Sequence, residues 1–375
     1  MVEGVAMTSG MVPARLHKVI GRVRPVDIAW RDRAEARLNE LTKPPRSLGR
    51  LERIAARLCT IQETVTPRVT PRRIVIFAAD HGVTEEGVSA YPSAVTAQMV
   101  GNFLGGGAAI NVLARAVGAD VCVVDAGVAG DIDASGHAAA FVSRCVRPGT
   151  RNMTKGPAMS EDELASALDI GLDVADDAAK GGVAVIACGD MGIGNTTAAS
   201  AMTAAILGVP ADEVTGSGTG IDSEMLAHKV DVVRHALATN QPGRDPLAVL
   251  RTVGGLEIAA IAGAYVGAAA HRMAIVGDGF IATAAALVAA SICPPFLDYW
   301  FAGHRSSEPG HSLQLGFLRQ QPLLDLEMRL GEGTGAALAM PLFGAAAAVM
   351  NEMTTFDGAG VAGRAEDPGR MAGLP

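Results

Sequence analysis

Ala187-Cys188-Gly189-Asp190-Met191-Gly192-Ile193-Gly194-Asn195-Thr196-Thr197 is the stretch whose reading decides the fold. The apolar run 183–187 reads as a buried strand. Glycines follow at 189, 192 and 194. Asn195, Thr196 and Thr197 are helix-capping residue types, and they open an Ala-rich helical stretch that runs to Leu207. A strand, a glycine turn and a helix start together aim backbone N–H groups and the positive end of a helix dipole at an anion. The spacing is not the GxGxxG of dinucleotide sites, and it lacks the Gly-Lys-Ser/Thr ending of a P-loop. Read alone, the stretch fits a phosphate cradle and equally a tight turn of an α/β protein.

The same strand-then-turn pattern repeats on either side. Apolar runs at 74–79, 121–124, 183–187, 274–276 and 296–301 predict five strands. Four of them end in an Asp within a few positions: Asp80, Asp125, Asp190 and Asp278. Any one such ending is ordinary turn chemistry. Their agreement predicts an open parallel sheet with a site outside its carboxyl ends. Helices are expected at 29–41, 48–58, 94–117 with a break at Gly105-Gly106-Gly107, 160–180, 196–207, 222–240, 255–270, 323–330 and 335–353. Residues 280–297 are uncharged and long enough to raise the question of a membrane span. Pro294-Pro295 breaks the run, so a buried helix followed by a strand is expected.

Composition excludes several classes. The hydrophobic fraction is 49%, aromatics are only 4% and glycines number 45, the balance of an α/β enzyme rather than a disordered chain. Net charge is −8 with Lys and Arg scattered, so no nucleic-acid partner is expected. Five dispersed cysteines form no CxxC pair, which fits reduced thiols in a cytoplasm. Residues 1–10 have no basic start and no apolar core, so no leader is read. No membrane partner is expected.

Glu332 stands between Gly331 and Gly333, flanked by apolar segments. Glycines let the chain approach a ligand and project one carboxylate, and apolar surroundings raise its pKa toward that of a general base. A solvated turn Glu fits the composition too. Residues 303–311 form a polar loop in which Arg305, Ser306 and Ser307 suit an oxyanion, and a plain surface loop is the alternative. His304 and His311 lack a recognised metal spacing. Asp80-His81-Gly82, with Glu85, Glu86 and Tyr91, reads as a second wall, although a lone His at a strand end is commonly structural. Lys229, on a helix after Gly216-Ser217-Gly218-Thr219-Gly220, is a surface lysine or an anion contact.

The motifs are more specific together. Lys43-Pro44-Pro45-Arg46-Ser47-Leu48-Gly49-Arg50-Leu51-Glu52, Ala79-Asp80-His81-Gly82-Val83, Glu86-Gly87-Val88-Ser89-Ala90-Tyr91-Pro92, the 189–197 stretch and Arg329-Leu330-Gly331-Glu332-Gly333-Thr334-Gly335-Ala336-Ala337 occur in this order. In these the chain resembles the nicotinate-nucleotide–dimethylbenzimidazole phosphoribosyltransferase family over about residues 29–353. The resemblance implies an α/β fold: a large Rossmann-like domain at 70–320 and a small helical domain from 20–69 with 321–356. The ends, 1–19 and 357–375, are expected to be flexible. It implies transfer of the phosphoribosyl group of nicotinate mononucleotide to 5,6-dimethylbenzimidazole. It also implies a homodimer, and neither cofactor nor metal.

Carried over residue by residue, the resemblance makes Glu332 the catalytic base. Asp190, Gly192, Gly194, Asn195, Thr196, Lys229, His304, Arg305 and Ser306 become nucleotide and phosphate contacts. Tyr91, Gln98, Met99 and Leu330 become the benzimidazole pocket. Asp190 stands where the family commonly has Glu, so its carboxylate is one methylene further from any ligand. A nucleotide-binding module without catalysis would not need Glu332, and a dehydrogenase would need the missing GxGxxG.

Overall fold

The computed structural model describes residues 12–132, 134, 140–218 and 220–362. Among these, six strands form one parallel sheet: β1 (Arg72–Ala79), β2 (Asp120–Gly127), β3 (Ala140–Ser143), β4 (Val185–Met191), β5 (Ala274–Gly277) and β6 (Trp300–Ala302). Their order across the sheet is β3-β2-β1-β4-β5-β6, the doubly wound order. The chain direction switches between β1 and β4, where Ile76 lies opposite Val123 on one side and Gly189 on the other. A crevice outside the carboxyl ends of these two strands is the expected ligand position of such a sheet. A short parallel pair, β7 (His304–Arg305) and β8 (Leu324–Asp325), follows.

The sheet is covered by helices because its strands are apolar on both faces. Residues 74–79 of β1 are wholly buried. The helices are α1 (Ala14–Ile20), α2 (Ile28–Glu40), α3 (Arg50–Gln62), α4 (Ala94–Gly105), α5 (Ala109–Val117), α6 (Glu161–Lys180), α7 (Asn195–Leu207), α8 (Ala211–Val214), α9 (Ser223–Asn240), α10 (Pro246–Val253), α11 (Leu256–Ala270), α12 (Phe280–Ile292), α13 (Pro309–Phe317), α14 (Thr334–Glu352) and α15 (Phe356–Ala359). On α6 and α11 small residues bring the two backbones into contact. A Cβ on Gly171 would lie within 1.9 Å of the Ala260 carbonyl oxygen, and one on Gly263 within 2.1 Å of the Leu168 carbonyl oxygen.

The described chain divides into two compact units, residues 12–25 with 70–341 and residues 26–69 with 342–362. The first holds the sheet. The second holds α2, capped by the Asp27 side chain, and α3. In it Leu41 bridges to Thr355, and Lys43 forms a buried ion pair with Glu52 at 2.9 Å. Residues 321–341, expected with the helical segments, fall in the sheet-bearing unit, where β8 pairs with β7.

The structure departs from the sequence expectations at several elements. The strand expected at 296–301 is a 3-10 turn, Pro294–Asp298, followed by β6, because two prolines preset φ for a tight turn. β3 is an additional strand, four residues long and half-exposed. The helix expected at 323–330 is absent, and β8 occupies part of it. The break expected within 94–117 is present: α4 and α5 divide where Gly106 takes a left-handed φ of +76°. Of the expected flexible ends, 1–11 and 363–375 lie outside the described residues. Residues 14–20 instead form α1: Leu16 is fully buried, and Arg15 bonds Asp173 at 2.7 Å and Asp176 at 3.3 Å on α6. The apolar 280–297 run is accounted for by α12, thirteen residues long and buried nearly throughout. Among the described residues, Ala94–Val117 and Thr334–Glu352 are the stretches long and apolar enough to cross a membrane, and the first is the broken pair just described.

Candidate active site

A cavity of about 600 Å³ opens at the carboxyl ends of β4, β5 and β6. Four elements supply it. After β4 come Asp190, Gly192, Asn195 and Thr196; after β5 come Gly279, Phe280 and Ile281. After β6 come His304, Ser306 and Glu308, and the turn before α14 gives Leu330, Gly331 and Glu332. Tyr91, Val95 and Met99 close one side with Ile193 and Met191, making that wall apolar.

Glu332 is held by its backbone. It takes a left-handed φ of +61° between Gly331 at +84° and Gly333 at +86°. Its peptide lies against β4, so a Cβ on Gly189 would stand 2.3 Å from the Glu332 carbonyl carbon. The buried Asp278 fixes the turn from below, accepting from Gly333 N–H at 3.1 Å and Ala336 N–H at 3.0 Å. Glu332 is 5% exposed, and its Oε2 accepts from Ile110 N–H at 3.4 Å, at the start of α5. Burial raises its pKa; the Ile110 bond opposes this and the Asp278 charge adds to it.

Asp190 is buried beside it. Its Oδ2 accepts from Asn195 Nδ2 at 2.9 Å. Burial pushes its pKa well above the usual carboxylate range; Asp278 and Glu257 push it further, against the Asn195 bond. Asp278 is also raised, by burial, although the nearby His304 and three backbone N–H groups oppose the rise. Glu257 lies fully buried with Oε1 on His81 Nε2 at 2.7 Å. Burial alone would lower the His81 pKa, but the charges of Glu257 and Asp80 outweigh it and the net shift is upward. The floor of the cavity is therefore a cluster of carboxylates with too few cations.

Two helix starts face the cavity, and they differ. On α7 two of the first three N–H groups are taken within the turn, and Thr196 N–H is not. Asn195 N–H bonds Gly192 O, Thr197 N–H bonds Gly194 O, and Ile193 N–H bonds Thr96 Oγ1. On α12 no side chain caps the helix, and its first-turn N–H groups find no acceptor among the described residues. Phe280, Ile281 and Ala282 are nonetheless buried. Beside them His304 is 3% exposed with an unpartnered Nδ1, and its Nε2 lies 3.8 Å from Asp278. His311 accepts from Ser306 N–H through Nδ1 at 2.8 Å, so its Nε2 carries the proton that goes to Thr283 at 3.0 Å. Burial lowers the His311 pKa to about 3.

The structure brings most of the expected residues together. Asp190, Gly192, Asn195, Thr196, His304, Ser306, Tyr91, Met99, Leu330 and Glu332 line the cavity. Gly194 and Lys229 line a small adjoining space of about 30 Å³. There Lys229 Nζ donates to Thr196 Oγ1 at 2.8 Å and to Gly216 O at 3.1 Å, and burial lowers its pKa to about 8. Arg305 and Gln98 are not brought in. Residues 304–306 are extended, so His304 and Ser306 turn inward while Arg305 is exposed and pairs with Asp325 at 3.5 Å. Gln98 lies exposed on α4, while Val95 and Met99, one turn apart, face the cavity. Sequence reasoning missed the α12 start, Asp278 as the anchor of the Glu332 turn, and Glu308, whose Oε1 accepts from Gly218 N–H at 3.0 Å. The Gly277-Asp278-Gly279 ending was the available signal for the first two.

The phosphoribosyltransferase family DBI_PRT matches residues 23–361. The chain belongs to this family. A relative from Geobacter sulfurreducens, named nicotinate-nucleotide–dimethylbenzimidazole phosphoribosyltransferase, is 51% identical over 92% of this chain and 98% of its own length. One of the same name from Chloroflexus aggregans is 51% identical over 94% and 99%. The crystal structure of the enzyme so named from Thermus thermophilus is 49% identical and superposes with a TM-score of 0.85, covering 90% of this chain and all of that one. As a DBI_PRT phosphoribosyltransferase, the chain moves a phosphoribosyl group. Its cavity holds a buried carboxylate, Glu332, among other acids and beside the open start of α12.

Proposed function

We propose that this chain transfers the phosphoribosyl group of nicotinate mononucleotide to 5,6-dimethylbenzimidazole, giving α-ribazole 5′-phosphate and nicotinate. The apolar wall of Tyr91, Val95, Met99 and Leu330 takes the flat base. One ring nitrogen attacks C1′ of the ribose while the other N–H gives its proton to Glu332. The C1′–N bond to the pyridinium breaks, its electron pair returns to the ring, and nicotinate leaves with a neutral nitrogen. The leaving group needs no acid, so one carboxylate suffices. Attack opposite the leaving group inverts C1′.

The observation that carries this reading is the carboxylate cluster around Glu332 and Asp190. Desolvation and mutual repulsion hold these acids above their usual range. A cationic pyridinium, or positive charge growing at C1′, relieves both penalties, so the cluster favours this donor and its transition state. Asp190 supplies that charge from one methylene further away than a Glu would, and Asn195 fixes its direction. The donor phosphate sits at the start of α12, on the unpartnered N–H groups beside Ser306 and His304. The Gly192–Thr196 segment shapes the ribose wall, with Lys229 behind it.

The homodimer belongs to this proposal: Tyr91, Leu326 and Leu330 are large exposed apolar residues of the kind a second copy covers. So does a cytoplasmic location, since all five cysteines are free. The test is incubation with nicotinate mononucleotide and 5,6-dimethylbenzimidazole, with product masses read out. We expect nicotinate and ribazole phosphate in equal amounts, and a turnover lower by about 10²–10⁴-fold in Glu332→Gln with little change in KM. Normal turnover in that variant removes the base assignment, and binding without nicotinate release removes the reaction.

A further inference from the structure

We propose that the chain carries a second ligand site, at the carboxyl ends of β1 and β2, for a small zwitterion of the α-amino-acid type. The site is a cavity of about 690 Å³ that shares no lining residue with the catalytic one. Its walls come from residues 80–82, 84 and 85 after β1 and residues 147–152 and 155–157 after β2, with Ser93 and Ala129.

Most polar groups in these walls already have partners. Lys155 pairs with Glu85 at 2.7 Å. Asn152 Nδ2 donates to Glu86 at 2.6 Å, and Thr150 Oγ1 accepts from Gly82 N–H at 3.2 Å. Two groups of opposite charge each keep a buried atom without a hydrogen bond. Asp80 is 4% exposed; its Oδ2 accepts from Ala129 N–H at 2.8 Å, but its Oδ1 is buried and without a hydrogen bond. Arg147 Nη1 is likewise buried without a hydrogen bond and stands 3.8 Å from Glu163. That carboxylate is already taken by Arg151, at 2.6 and 3.0 Å, and by Ser160 N–H at 2.7 Å.

A buried polar atom left unpaired is costly, and a charged one more so. A simple anion satisfies Arg147 and leaves Asp80 as it was; a simple cation does the reverse. A ligand with an ammonium for Asp80 and a carboxylate for Arg147 satisfies both. An occupant would also touch His81, whose ring backs onto the catalytic glycine turn: a Cβ on Gly192 would lie 3.4 Å from its Cδ2. The position is thus that of an effector site.

Isothermal titration calorimetry on the full chain tests this, with glycine, L-alanine, L-glutamate and L-lysine as probes and propionate and n-propylamine as single-charge controls. We expect at least one amino acid to bind ten-fold or more tightly than either control. Arg147→Gln and Asp80→Asn should each weaken that binding ten-fold or more, and Glu332→Gln should leave it unchanged. Arg147→Gln loses no Nη1 hydrogen bond, so it decides the matter if Asp80→Asn does not fold. No binding by any amino acid, controls that bind as well, or unchanged affinity in Arg147→Gln overturns the proposal. A loss in Glu332→Gln equal to that in Arg147→Gln overturns it too, since the ligand would then sit in the catalytic cavity.

Discussion

Glu332 is a non-glycine residue in the left-handed region, a conformation that costs on the order of 1–3 kcal/mol and persists only where the surroundings fix it. Asp278 and the close approach of Gly189 provide that fixing, and the gain is a carboxylate held away from water. As the proposed base, Glu332 should set the acid side of the pH profile through its raised pKa. The base must be ionised to accept a proton, so kcat falls as pH drops through a value above the ordinary Glu range. We expect the alkaline side to follow Lys229. Its pKa is lowered to about 8, so it is charged below that pH and neutral above it. Its charge stands behind the proposed ribose wall, held on Thr196, so we expect kcat/KM to fall above about pH 8. Lys229→Met should lower kcat/KM and remove that alkaline limb while leaving the acid limb, as pH–rate profiles of the two proteins would show. An alkaline limb that survives in Lys229→Met assigns it to another group.

At the scale of elements, the turn before α14 and the start of α12 make separable predictions. Gly189→Ala drives a methyl group into the Glu332 peptide, backbone against backbone, where neither side can yield cheaply. It should cost about 3 kcal/mol in urea unfolding and should lower kcat more than KM, since the base is displaced. Gly279→Asp acts in the opposite direction on stability. Asp is a strong N-cap, worth about 1 kcal/mol, and here it would occupy the N–H groups proposed to bind phosphate. The expected outcome is an unchanged or higher Tm together with a KM for nicotinate mononucleotide raised ten-fold or more; an unchanged KM places the phosphate elsewhere. These two elements also show how far the sequence could be read. The 183–197 stretch announced a strand, a turn and a helix, and all three are present. Which helix start remains open for an anion was hidden, because it depends on Thr96 reaching Ile193 from a distant helix and on Asp278 turning toward Gly333 rather than capping its own helix. Arg305 was readable as a cation but not as an outward one, since the strand register of 304–306 is set by pairing with β8. Residues 14–20 are too short a run to announce a helix, and of their four apolar residues only Leu16 is fully buried.

At the scale of the whole molecule, buried ionisable groups pull stability against pH in two directions. His311 has a folded pKa of about 3 against an ordinary 6.5, so the unfolded chain binds the extra proton between these values. Stability from this group therefore falls as pH falls through that window, by up to about 1.4 kcal/mol per pH unit. Asp125, Asp190, Asp278 and Glu332 are all raised, with burial the largest cause in each. For these the folded chain binds the extra proton, so stability is greatest below the ordinary carboxylate pKa and is lost as pH rises through the folded values. His81, also raised, adds a loss in the same direction above its ordinary pKa of 6.5. Above pH 6.5 His311 no longer contributes, and the losses carried by Asp190, raised well above the carboxylate range, and by His81 remain. The chain should therefore unfold at a higher urea concentration at pH 5.5 than at pH 8, the reverse of a protein held by paired surface carboxylates. Asp190→Asn keeps the side-chain shape and removes one of the repelling charges. It should raise the urea midpoint at pH 8, flatten the dependence between pH 5.5 and 8, and lower turnover, because the charge that burdens the fold is the one proposed to meet the cationic donor. A midpoint at pH 8 that does not rise in Asp190→Asn would show that the cluster is not strained, and the electrostatic account of donor preference would fail with it.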